Sequence, residues 1–417
     1  MASNLTLIFV SLLFITSLVR FWLGNRHIHH IQTNRNQVPK AFSNTISLEA
    51  HQKAADYSTA KTKLALTESL AQAIFLLILT IGGGLQWLDQ LWLAWLPDHN
   101  IIRGALVICS TLVISSIVEL PFDYYHTFTI DEKFGFNKMT PKMFISDLIK
   151  HGLLGIALGA PILLIALWLM RSAGEYWWFY LWLVWSVFNI VMLAIYPTYI
   201  APLFNKFTPL ADISLKNRIE RLLSKCGFKS QGLFVMDGST RSGHGNAYFT
   251  GFGSSKRVVF FDTLLDKLNE DEIEAVLAHE LGHFKHQHVI KRVIMMFLIS
   301  LIGLAILGWL INQSWFYAGL GITTPSHHMA LLLFLLVSPI FLYLLRPIMA
   351  SYSRKNEFEA DRYAATHANA QHLIEALVKL YRDNASTLTP DPLYSNFYDS
   401  HPPASIRISK LSAYTGS

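Results

Sequence analysis

Charge and cysteine are what this chain has least of. Of its 417 residues only 15% are Asp, Glu, Lys or Arg and two are cysteine, against 52% hydrophobic side chains. So low a charged fraction, with a positive mean hydropathy, excludes an ordinary soluble enzyme of this size and places the chain in a lipid bilayer. Cys109 sits in an apolar segment and Cys226 in a polar one, which excludes a disulfide framework and a cysteine-ligated metal site. The net charge of +6 comes without any basic cluster interleaved with aromatics, so a nucleic-acid partner is excluded too. No repeat or low-complexity segment is present.

What the chain has instead is long apolar runs. Residues 5–23, 70–88, 102–120, 153–170, 177–196, 293–311 and 329–345 each approach the roughly 20 residues that cross a bilayer, which predicts a mainly α, seven-transmembrane-helix protein. The first run lacks a basic lead-in and a small-residue cleavage site and reads as a retained anchor, with a cleaved signal peptide as the alternative. Trp87, Trp92, Trp95, Trp177, Trp178 and Trp315 cluster near run ends, as interfacial belts do. Lys and Arg gather in segments 25–63, 121–152, 197–292 and beyond 346, while Arg103 and Arg171 alone mark the opposite loops. That asymmetry predicts an N-terminus outside and a C-terminus in the cytosol. The organisation expected is spans one to five over 1–196, a polar domain over 197–292, spans six and seven over 293–345 and a cytosolic tail over 346–417.

The chemistry is concentrated in NEDEIEAVLAHELGHFKHQH, residues 269–288. Asn269 and Glu272 make a capping box, Glu270, Asp271 and Glu272 suit a helix N-terminus, and the helix that follows carries His279, Glu280 and His283 as H-E-x-x-H. Histidines four apart stack on one helix face, so both imidazoles can reach one Zn²⁺. Glu280 falls beside them as a base for water rather than a ligand. A third ligand is needed, and NEFEADRYA supplies it: Glu357 and Asp361 share one helix face while Glu359 points away. Glu357 is the expected third zinc ligand, and Asp361 the group that holds the free ring nitrogen of a ligand histidine.

Upstream, residues 212–226 read as an amphipathic helix with Ile213, Leu215, Ile219, Leu222 and Leu223 on its apolar face, and residues 232–236 as a strand. SGHGNAYFTGFG, a turn at Gly253-Ser254-Ser255 and KRVVFFDTLL read as a hairpin leading to the metal helix. In a zincin-like α+β domain, an exposed strand beside that helix pairs with an extended substrate, which makes Asn246, Ala247, Tyr248 and Phe249 the candidate edge. His286 and His288 read as interfacial continuations of the helix, and the run His27, His29, His30 as without a role. Glu119, Asp123, Asp131 and Glu132, near the cytosolic end of span three, are costly beside lipid and are expected to line or brace a hydrated interior.

These blocks resemble the type I CAAX prenyl protease family, multi-pass zinc metalloproteases that process the yeast a-factor pheromone and prelamin A. The resemblance covers PFDYYHTFTIDEKFGFNKMT, YPTYIAPLFNKFTPL, GSTRSGHGNAYFTGF with FFDTLL, HELGHFKHQH, NEFEADRYA and SHPPASIRI. It implies seven long helices enclosing an intramembrane chamber, with one zinc at its cytosolic end held by His279, His283 and Glu357, and Glu280 as base. It further implies that Asn246 binds substrate backbone, that His401 orients the scissile carbonyl and that Arg407 supports the site. The compact chain ends AYTGS, without an endoplasmic-reticulum retrieval signal, which points to a prokaryotic-type member. The compartment is then a bacterial inner or plasma membrane, or the endoplasmic reticulum of a eukaryote. The substrate expected is a peptide or protein, prenylated at a CAAX terminus or not. Broad membrane-protein quality control, structural zinc binding and zinc transport are the rival readings. A structural site would close the fourth metal position with a protein ligand, and a transporter would place Asp or His pairs at mid-span.

Overall fold

The computed structural model describes residues 1–97, 100–228, 232–250 and 257–415. Among them, seven helices are long and apolar enough to cross a membrane: Ala2–Asn34, Leu48–Leu79, Asn100–Phe134, Pro141–Ser172, Gly174–Leu203, His288–Leu310 and His327–His367. Several run well past their apolar cores. The expected loops over 25–63 and 121–152 are largely helical, interrupted only between Asn34 and Leu48 and between Phe134 and Pro141, and these polar extensions pack on the polar domain. Phe42 and Ile46, between the first two spans, are buried in that domain's core. Tyr57, Phe134 and Phe136 form a smaller cluster beside it.

The second span departs from its expected place at 70–88. It begins at the Ser47 cap, whose side chain accepts from the Ala50 amide, and ends at Leu79. Gly83 then takes φ +79°, a conformation glycine reaches without strain, and residues from Gly84 form a separate helix, Gly84–Trp95. His27 also departs from expectation. It is buried, its Nδ1 accepts from the Asp391 amide at 3.2 Å, and its ring stacks on Tyr394 at 3.9 Å, pinning the first span to the C-terminal segment. Of the acidic group, Asp131 accepts from the Tyr57 hydroxyl at 2.7 Å and Glu132 from the Asn137 amide at 2.9 Å, so both brace the turn that ends the third span. Glu119 instead borders a cavity of about 330 Å³ among the first, second, third and seventh spans, with Arg20, Ser69, Gln72 and Ser115.

The polar domain holds a four-stranded sheet in the order β1-β2-β4-β3, with β1 Phe207–Pro209, β2 Leu233–Met236, β3 Ala247–Thr250 and β4 Arg257–Phe261. β2 and β4 are parallel. β3 runs antiparallel to β4 with Tyr248 opposite Val259 and, among the described residues, has no partner on its other side, so it is an edge of the sheet. The turn expected at Gly253-Ser254-Ser255 lies outside the described residues. Asp212 caps the helix Ile213–Lys225. That helix turns Leu215, Ile219, Leu222 and Leu223 into a core shared with Val258, Phe260, Ile273 and Leu277. Ile213 was expected on that face but is 72% exposed, since the first helical residue lies short of the sheet.

Candidate metal centre

The helix Glu270–Lys285 opens on the expected capping box: Asn269 Oδ1 accepts from the Glu272 amide, and the Glu272 carboxylate accepts from the Asn269 amide, both at 2.9 Å. It packs along the extension of the seventh span, Arg346–His367. The contact depends on Gly282 inside the H-E-L-G-H run. A Cβ there would meet the Cα of Ala360 at 2.8 Å, so any larger residue would push the two helices apart.

That close approach assembles the expected ligand set. His279 Nε2 and His283 Nε2 lie 3.2 Å apart, and Glu357 places Oε2 3.5 Å from the first and Oε1 3.4 Å from the second. A tetrahedral ion with bonds of about 2.0–2.1 Å to N and O sets its ligands about 3.3–3.4 Å apart, so the three groups fit one zinc. A further sign is Glu357 Oε2, which is buried without a hydrogen-bond partner. A desolvated carboxylate oxygen in that state is unfavourable unless a cation meets it.

The electrostatics agree. Burial opposes a charge on His279, but the Asp361 carboxylate bonded to it and the Glu357 carboxylate close by outweigh burial and hold it up at about 9. Burial and the charge on His279 push His283 down to about 3. The carboxylates around His279 therefore favour positive charge at the cluster. Burial also pushes the Glu280 carboxyl above its ordinary range.

Asp361 Oδ1 lies 2.9 Å from His279 Nδ1, the place expected of the group that orients a ligand ring. Arg407 grips the same carboxylate with two bonds, Nη2 to Oδ1 at 2.6 Å and Nε to Oδ2 at 2.9 Å. His401 also comes to the site, with Nε2 3.4 Å from Glu357 Oε1 and a side chain 64% exposed. Asn246 is exposed just before the edge strand: its side-chain oxygen accepts from the Ala247 amide at 2.8 Å and its carbonyl from the Phe261 amide at 3.0 Å. Phe249 on β3 packs on Phe284 of the metal helix at 4.4 Å between ring centroids, so the edge flanks the cluster. His286 is not part of the cluster of His279, His283 and Glu357. His288 and Glu359, both passed over in sequence, meet behind His283: His288 Nδ1 is 3.0 Å from His283 Nδ1 and its Nε2 is 3.1 Å from Glu359 Oε2. The only sequence signal for them was an extra histidine and an extra glutamate near two motifs.

Residues 27–206 match the family model described as CAAX prenyl protease N-terminal, five membrane helices, and residues 209–415 match peptidase family M48. A CAAX prenyl protease 1 homolog of Arabidopsis thaliana is 37% identical over 88% of this chain and 88% of its own. CAAX prenyl protease 1 of Saccharomyces cerevisiae is 34% identical over 91% of this chain and 89% of its own. The crystal structure of S. mikatae Ste24p superposes with a TM-score of 0.91 at 32% identity, covering 98% of this chain and 99% of that one. Likeness of this extent, in sequence and in structure, makes the chain a member of the CAAX prenyl protease 1 family within peptidase family M48, and so a multi-pass membrane metalloendopeptidase.

Proposed function

We propose that the chain binds one Zn²⁺ through His279 Nε2, His283 Nε2 and the Glu357 carboxylate and uses it to hydrolyse a peptide bond near the C-terminus of a peptide or protein substrate. The observation that carries this is the cluster of three candidate ligand groups, in which the buried Glu357 Oε2 has no hydrogen-bond partner. When bound, Zn²⁺ supplies Lewis acidity that polarises the scissile carbonyl and lowers the pKa of water from 15.7 toward about 7. Glu280 takes the proton of the attacking water at its carboxylate as the C–O bond forms, then hands it to the leaving nitrogen as the C–N bond breaks. Its raised pKa suits a group that must both accept and return a proton. His401, on the exposed side of Glu357, donates from its ring to the developing oxyanion. Asn246, Ala247 and Tyr248 offer an unpaired strand edge to the substrate's main chain. Asp361 and Arg407 hold the His279 ring in place.

The relatives are named for CAAX prenyl proteins, and the same substrate class fits a cluster borne by the end of a membrane span: removal of the last three residues from a lipid-modified C-terminus. The distribution of Lys and Arg puts this chemistry on the cytosolic side. The test is product analysis by mass spectrometry on a farnesylated CAAX peptide beside its unprenylated twin, with zinc content measured in parallel. Release of a tripeptide, faster from the farnesylated form, is expected. Glu280→Gln should keep zinc and lose turnover, and Glu357→Ala should lose zinc. Equal rates on the two peptides would overturn the lipid-reading part, and zinc retained by Glu357→Ala would overturn the ligand set.

A further inference from the structure

The two histidines of the cluster are held from behind in different ways. Asp361 bonds His279 directly. Behind His283 stands another imidazole: Nδ1 of His288 at 3.0 Å, with Glu359 Oε2 beyond it, 3.1 Å from His288 Nε2. A single assignment of protons satisfies every atom. His283 must leave Nε2 bare for a metal, so its Nδ1–H donates to His288 Nδ1, and His288 in turn donates Nε2–H to the Glu359 carboxylate.

The backbone is bent to make this contact. On a continued helix, residue 288 would lie about 140° around from residue 283 and face away from it, because five residues advance the helix by about 500°. Instead Gln287 takes φ +56° and ψ +33°, a left-handed conformation that side chains with a Cβ rarely adopt. The turn it makes separates the metal helix from the sixth span and swings His288 back under His283. His288 is 1% exposed, and His286 stacks flat on it at 5.5 Å and 16°. Strain of this kind persists where the surroundings over-determine it, and here the surroundings are a ligand of the cluster and a carboxylate.

We propose that His288 and Glu359 are positioning residues of the metal site, a relay that fixes the tautomer and ring plane of His283. The proposal rests on the zinc reading above. It gives Glu359 a part in binding the ion although it faces away from it: two residues after the ligand Glu357, on the same helix, it reaches the cluster through the far side of His283. A purely structural role, tying the metal helix to the seventh span, would move stability but leave the coordination of the ion alone.

The experiment uses the full chain in detergent, with zinc affinity read by competition against a chromophoric chelator and coordination read from the visible spectrum of the Co²⁺-substituted protein. His288→Phe keeps the ring's bulk and removes its acceptor. It should weaken zinc binding about 10- to 100-fold, as loss of such a partner does, and alter the Co²⁺ bands. His288→Asn, whose amide oxygen can stand where Nδ1 stood, should recover most of the affinity. Glu359→Gln, which keeps an acceptor without the charge, should fall between parent and His288→Phe. Should His288→Phe fail to fold, Glu359→Ala carries the test, since its side chain is 33% exposed, with about a tenfold loss expected. Parental affinity and spectrum in His288→Phe, or in Glu359→Ala where that variant stands in, would overturn the relay. A parent chain that takes up no zinc, or a Glu357→Ala variant that keeps it, would instead put the fault in the zinc reading.

Discussion

Arg407 offers the sharpest test of how the cluster is held together. Its guanidinium makes two charge-assisted bonds to Asp361, at 2.6 and 2.9 Å, and lies 3.8 Å from Glu357 Oε2. Arg407 and Asp361 are 6% and 4% exposed, so neither has water to fall back on. Arg407→Met keeps much of the side chain's length and removes the charge, leaving two buried carboxylates facing each other with one neutralising partner gone. Breaking a buried pair from one side costs about 3–5 kcal/mol, most of it the penalty of the charge left behind. That loss should be read on metal-free protein, because a bound divalent cation would itself relieve the carboxylates. Unfolding the full chain in mixed micelles by added SDS, followed by tryptophan fluorescence, gives the difference. The double variant Arg407→Met, Asp361→Asn removes the stranded charge while keeping an oxygen for His279 Nδ1–H, and should be more stable than Arg407→Met alone. A single variant within about 1 kcal/mol of the parent, or a double variant whose loss equals the sum of the two singles, would refute a shared buried pair.

Two further outcomes are expected. Because burial holds Glu280 above its ordinary range and the base works deprotonated, the rate should fall on acidification at a pH above the roughly 4.3 of a free glutamate. A limb at or below that value, with zinc content constant over the same range, would contradict the role. Glu119 borders a cavity with Arg20, Gln72 and four serine or threonine residues, so a cysteine at position 119 should be labelled by a membrane-impermeant thiol reagent once Cys109 and Cys226 are removed. Complete protection in active protein would count against a hydrated interior.

The parts of this molecule legible in its sequence are those whose geometry is local. Two histidines four apart on a helix, and a glutamate four before an aspartate on another, declare a shared face whatever the fold around them, and both pairs meet where that spacing places them. Apolar runs declare spans in the same way, but only the hydrocarbon length is written in hydropathy. The helices run on past their apolar cores, and the start of the second span at Ser47 is set by a cap and by packing on the domain. His288 was illegible for the opposite reason. Its contact with His283 exists because Gln287 leaves the helix, and no residue preference announces a left-handed glutamine. His27 was illegible because its partners, Asp391 and Tyr394, lie at the other end of the chain.

The same distribution of partners explains why the hydrolytic part of this fold belongs in the membrane. His279 and His283 sit on a helix that turns through Gln287 straight into the sixth span, and Glu357 and Asp361 sit on the extension of the seventh. His401 and Arg407 come from the C-terminal segment, which the first span clamps through the ion pair of Arg26 with Asp391 at 2.9 Å. Even the core beneath the sheet is closed by Phe42 and Ile46, from the segment joining the first two spans. Residues 209–415 therefore match a peptidase family as a unit of sequence without being a unit of structure. Cut out of the chain, they would keep both spans but lose the ion pair of Asp391 with Arg26 and the Phe42 and Ile46 side chains, and they would expose the core face those two residues cover. A site fixed at both ends by bilayer helices holds the His279, His283 and Glu357 cluster at a constant depth relative to the lipid, so a peptide substrate meets it at a fixed distance from the bilayer.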